Sequence, residues 1–220
     1  MIEPGSLTVA YMRGQRKPFM APLQLFLVAN LIFFALFSAA RVHIFTTPLR
    51  SHLGDQYYSA TARRLVTHRL DAKHISLDEY VPVFDHAVEV NAKSLVVLMV
   101  VPLTILTLLL FWRSRQPFAV HVVFALHFFA FLLLLFCVML PIGMIAVGLG
   151  ASAGGGGLID VGFTYVDVAI CAVYLGAATT AVFGVHGFTR VAAVMVLAVS
   201  TALIVYSYRF ALLVITLYTT

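Results

Sequence analysis

Two histidines, His121 and His127, interrupt the apolar run AVHVVFALHFFAF (119–131), which continues without a charge to Leu140. An imidazole in such surroundings either handles a proton or a ligand, or is held by a hydrogen bond from a neighbouring segment. Six helical residues separate the two rings by about 9 Å along the axis and about 240° around it. They cannot share one ligand or metal from a single helix, and the i,i+4 spacing of HExxH is absent. For His127 the plainer expectation is a neutral ring bonded to a carbonyl or hydroxyl of another helix. The sharper one is a proton-handling or ligand role. His121, about one turn inside the helix end, is expected at the interface, where it reaches water or lipid headgroups.

Asp167 and Arg209 are the other ionisable residues in apolar surroundings. Each is costly alone, so the two are expected to pair or to face one polar pocket; Arg209 has the alternative of snorkelling to headgroups. Asn30 is expected to hydrogen-bond across helices in a packing role. Gly143, Gly148, Gly150 and Gly176 with Ala177 offer close-packing positions. Cys137 and Cys171 read as small buried hydrophobes, with no CxxC motif around them. Five histidines (His43, His52, His68, His74, His86) share one polar loop, but their spacings match no compact ligand motif. There is no GxSxG, no P-loop and no Cys/His nucleophile arrangement, so neither a cofactor nor a metal is implied.

The elements that must position these residues follow from composition. The chain has 220 residues, 62% of them hydrophobic and 10% charged, where a soluble domain carries roughly a quarter charged. Lipid must therefore be the solvent for much of it. The net charge of +5 is scattered and forms no stripe that could track nucleic-acid phosphates. A spanning helix needs about 20 apolar residues, and five stretches qualify: 21–40, 94–112, 118–140, 163–184 and 191–208. The third is expected to end at Pro141, with the apolar stretch 142–149 either extending it or dipping into the interface, and Pro102 is expected to kink the second. The fold class is thus all-α, a polytopic transmembrane bundle of about five spanning helices in a single membrane domain, 1–220.

Arg13, Arg16, Lys17, Arg113, Arg115 and Arg190 fall in the segments that the positive-inside rule assigns to the cytoplasm. The N-terminus is then cytoplasmic, and an odd helix count puts the C-terminus outside. The outer side receives a glycine-rich hinge (151–160) and a polar loop, 41–93, with seven basic and six acidic residues. In that loop Ser76 and Glu79 form a capping box. Val81, Phe84, Val88 and Leu95 then predict an amphipathic helix running into the second span. An earlier helix is expected around Gly54–Leu70, with Leu53, Tyr57, Leu65 and Leu70 as its apolar positions.

Three stretches carry a resemblance: PGSLTVAYMRGQRKPFMAPLQLFLVANLIFF (4–34), EVNAKSLVVLMVVPLTILTLLLFWRSR (89–115) and HVVFALHFFAF (121–131). Together they resemble the uncharacterised bacterial membrane family catalogued as domain of unknown function 3667. The resemblance implies a multi-pass bacterial inner-membrane protein with no established activity; the outside face reached by the C-terminus is then the periplasm. Many members carry a zinc ribbon with paired CxxC motifs ahead of the first span. No cysteine precedes Cys137 here, so the expectation is a shortened or ribbonless form, and a zinc role is not carried over. His121 and His127 match the family's histidine pattern.

Three functions remain open. The favoured one is a non-enzymatic scaffold or partner-binding envelope protein, in contact with lipid and with a second copy or a membrane-protein partner. The second is a small oligomeric transporter or channel subunit, with His127, Asp167 and Arg209 lining a polar path. The third is an intramembrane enzyme acting on lipid, with His127 as general base near the cytoplasmic face.

Overall fold

Apolar runs of bilayer length become long helices in the computed structural model, which describes residues 4–15, 20–42, 45–54, 56–148 and 158–220. No strand occurs among the described residues. In chain order the helices are α1 (Ser6–Met12), α2 (Pro22–Ala39), α3 (Leu49–Gly54), α4 (Ser59–Lys73), α5 (Leu77–Leu95), α6 (Val100–Leu110), α7 (Phe118–Gly148), α8 (Leu158–Phe183) and α9 (Gly187–Thr219). Five stretches are long and apolar enough to cross a membrane: Pro22–Ala39, Leu77–Leu110, Phe118–Ala146, Tyr165–Phe183 and Gly187–Thr219. The protein is thus a multi-pass membrane protein by helix length and composition.

Prolines shape two of these stretches differently. Between α5 and α6 the chain tightens into a 3-10 turn over Val96–Met99. Pro102 follows it; a proline there has no N–H for the Leu98 carbonyl and crowds that carbonyl, so the α pattern fails just ahead of the ring. Pro141 does not end α7: the helix runs through it to Gly148, the extended form of the third helix that the sequence left open. One freed carbonyl costs less in an apolar medium than opening a whole turn of backbone. The glycine hinge over 151–157 lies outside the described residues, and α8 begins at Leu158, ahead of the expected Phe163.

The chain divides into two compact units, one formed by the residues up to Leu36 with Val100–Ala202, the other by Phe37–Met99 with Leu203–Thr220. In the first unit α7 is the central helix, with 61% of its span buried against 39% for α8. Helices α1, α6 and α8 pack on it, and α1 also packs on α8. Seven residues are too few to hold a helix alone in water, so α1 exists because of that packing.

In the second unit the polar loop packs on the last part of α9 rather than standing apart. Tyr208 Oη donates to the Ala92 carbonyl at 3.0 Å, Asn91 Nδ2 donates to Thr216 Oγ1 at 3.1 Å, and the Tyr80 and Thr220 hydroxyls meet at 2.5 Å. The capping box forms as expected: Glu79 N–H donates to Ser76 Oγ, and Ser76 N–H donates to Glu79 Oε2. The buried stripe of α5 is Tyr80, Phe84, Val88 and Ala92, one residue per turn. Val81 and Leu95, expected on that face, are half-buried. The earlier helix also shifts phase. Because α3 and the turn after it occupy the chain to Tyr58, α4 starts at Ser59, buries Ala62 and Val66, and leaves Tyr57 73% exposed.

Candidate functional site

The site in the first unit is built from the N-terminus. Gly5 precedes α1 with φ +86°, and a Cβ there would lie 2.9 Å from Ala178 Cα and 3.3 Å from Ala181 Cβ. Only glycine allows both that backbone conformation and that approach to α8. Three residues on, on the same helical face, Thr8 is 1% exposed and its Oγ1 sits 2.7 Å from His127 Nδ1. Past α1, Gly14 adopts φ +74° and turns the chain, and Pro22 opens α2 at a position where its missing N–H is harmless.

This path encloses a cavity of about 260 Å³ lined by Leu7, Tyr11, Gln15, Met20, Ala21, Pro22 and His127. Six of the seven come from the first 22 residues; α7 contributes only His127. Among the described residues the walls are mostly apolar, with a phenol, an amide and an imidazole as the polar groups. Thr8 is not among them, so its hydroxyl holds the ring but does not face the cavity.

The remaining sequence candidates do not gather there. His121, expected at the headgroups, is instead 1% exposed. Its ring stacks on Phe183 (centroids 5.1 Å apart), which stacks on Phe111 (4.2 Å); the ends of α6 and α8 thus close over it. Its Nδ1 has no hydrogen-bond partner among the described residues. Asp167 is half-buried on α8, one turn before Cys171, and Asn30 is half-buried on α2. Arg209 is half-buried in the second unit with its Cζ 5.9 Å from the Tyr206 ring centroid. Asp167 and Arg209 therefore fall in different units, and in its own unit neither has an ion-pair partner among the described residues. Gly176 packs against a side chain: a Cβ there would meet the Arg190 guanidinium at 3.2 Å. Cys137 and Cys171 are free and half-buried.

A second histidine site, not anticipated from sequence, lies in the second unit. His52 is fully buried, its Nδ1 2.9 Å from Tyr58 Oη, and its ring packs edge-on to Phe84. Burial pushes its pKa down to about 4; the Arg209 charge adds to this and a main-chain contact with Thr47 opposes it. Burial likewise pushes the Tyr58 phenol up to about 12, against the pull of Arg209. Both side chains are therefore neutral at pH 7. His43 lies outside the described residues, and no group of three potential metal ligands forms among those described.

Sequence spacing could not reveal Thr8 or Tyr58, because each acts through a contact distant in sequence or through a turn. The signal that was present lies in the glycines, Gly5 and Gly14, that bracket α1. The family described as a protein of unknown function (DUF3667) matches residues 1–34. That segment supplies every cavity-lining residue except His127. No curated protein and no solved structure matches the chain.

Proposed function

We propose that this protein, similar over residues 1–34 to a family of unknown function, is a non-enzymatic membrane scaffold that binds a small partner group through its N-terminal segment. The observation that carries this reading is the cavity itself: a short helix, useless for spanning, is wedged between α7 and α8 and frames about 260 Å³ around His127. The volume is at the small end for ligand pockets. It suits a compact, mostly apolar group with one hydrogen-bonding atom, from a lipid or from a membrane partner.

Chemistry at this site has less support. A nucleophile must face its substrate, whereas the Thr8 hydroxyl is 1% exposed and turned to the ring. Among the described residues of the wall, Tyr11 is the one other titratable side chain. A transport path would bring His127, Asp167 and Arg209 to one cavity, and of the three only His127 lines this one. We place the N-terminal segment and Arg113, Arg115 and Arg190 in the cytoplasm of a bacterial inner membrane, from the distribution of positive charge.

Native mass spectrometry of the full chain released from membranes tests the binding reading. The wild type is expected to retain a bound molecule that Ala21→Trp, which fills the cavity, loses. Equal retention by both, or none by the wild type, overturns it.

A further inference from the structure

Arg69 and Arg209 are half-buried cations of the second unit whose Nε has no hydrogen-bond partner among the described residues, and of the two Arg209 stands over an aromatic ring. The two ion pairs among the described residues, Arg50–Asp78 at 2.6 Å and Lys93–Glu89 at 2.9 Å, are both exposed. Arg209 is half-buried, and its Nε is walled off with no hydrogen-bond partner among the described residues. With Nε shielded and the side chain half-exposed, the guanidinium can receive an anion that supplies both charge and acceptor atoms.

Its surroundings favour such an anion. The Tyr206 ring lies 5.9 Å from Cζ and is braced by Tyr57 at 5.4 Å between centroids. The buried His52–Tyr58 pair senses the Arg209 charge, and Tyr58 is in turn packed on Phe210. Arg209 thus sets one full positive charge against an aromatic wall, and no ion pair among the described residues neutralises it. Arg209 also stands twenty-two residues beyond Gly187, about 33 Å along α9 at helical rise. A hydrocarbon core is about 30 Å thick, so a helix that begins at one interface brings this residue to the phosphate level of the other.

We propose that Arg209, set against the Tyr206 ring, forms a phosphate-binding site that takes the phosphate of a lipid headgroup or free phosphate. The planar guanidinium donates to two phosphate oxygens at once, and the aromatic wall holds the side chain in one plane. The site is separate from the His127 cavity and does not depend on its function.

Thermal unfolding of the full chain in maltoside micelles and phosphate-free buffer tests the site. Three additives are compared: phosphatidylglycerol, diacylglycerol with the same acyl chains, and inorganic phosphate. A saturable upward shift with phosphatidylglycerol and not with diacylglycerol is expected if the phosphate arrives on lipid; a shift with inorganic phosphate as well identifies a free source. Arg209→Gln is expected to weaken the response about tenfold or more. Should that variant fail to fold, Arg209→Lys keeps the charge but loses the fork, and its response should still weaken. The proposal is overturned by no shift with either phosphate source, by an equal shift with diacylglycerol, or by an undiminished shift in whichever Arg209 variants fold.

Discussion

His127 and His52 are both buried, and each has its Nδ1 engaged by a hydroxyl, Thr8 at 2.7 Å and Tyr58 at 2.9 Å. Yet the two sites differ in how they are built and in what they leave open. His127 belongs to the central helix of its unit and is capped by a short helix from the N-terminus, with a cavity alongside whose described lining carries no charge. His52 sits on a six-residue helix, sealed from all sides, with an arginine close enough to shift its pKa. The first arrangement makes space; the second concentrates charge. A buried histidine is therefore read from what stands beyond its hydrogen bond, and each part of this contrast can be broken separately.

The largest effect is expected at Gly5. Valine there would force a β-branched residue into φ +86° and drive its Cβ to 2.9 Å from the α8 backbone. Strain and overlap together cost about 4 kcal/mol, enough to dislodge α1 and open the cavity. Trypsin cleavage after Arg13 in detergent should become rapid, while the second unit's response to phosphate stays intact. Gly14→Ala is the control: its φ of +74° is also left-handed, but no atom lies within 4 Å, so only about 1 kcal/mol is lost. Equal effects of the two substitutions would show that α1 is not wedged against α8.

Next in size is the response of His52 to acid. Its folded pKa of about 4 lies below the ordinary 6.5, so the unfolded chain binds the extra proton between those values. Stability is therefore full above about pH 6.5 and falls as pH drops toward 4, by up to about 3 kcal/mol. Unfolding followed across this range should show the loss in the wild type and a flatter profile in His52→Phe. Because the Arg209 charge is the second cause of the depression, Arg209→Gln should move the midpoint upward. A profile identical in wild type and His52→Phe would remove His52 from the account.

What the sequence makes legible follows from the range of the interactions involved. The five spans could be read because lipid imposes one long, continuous requirement on composition. The Ser76–Glu79 capping box could be read because both partners lie within one turn. Helix α1 could not: SLTVAYM has too little length to form alone, and its partners Ala178 and His127 are more than a hundred residues away. The placement of His121 was misjudged for a related reason. Distance from a helix end predicts depth along its own axis, but not that Phe111 and Phe183 would close over the ring. His52 was obscured by its loop, where five histidines in a polar stretch suggest metal binding more readily than a single sealed ring.

The smallest predicted effects compare the two hydroxyls directly. Tyr58→Phe keeps the ring that packs on Phe210 and removes only the oxygen. The substitution leaves a fully buried imidazole with its hydroxyl partner gone and no room for water to replace it, at a cost of about 2 kcal/mol. Thr8→Val likewise preserves shape and removes the bond to His127. Here the ring lines a cavity that also carries Tyr11 and Gln15, so water or a polar group can take up the freed nitrogen. The expected loss is about 1 kcal/mol, in the range of single hydrogen bonds between membrane helices. Melting temperatures of the two variants in the same detergent provide the test. If Thr8→Val is the more damaging, the His127 cavity is closed to any replacement partner, and its reading as a binding space fails with it.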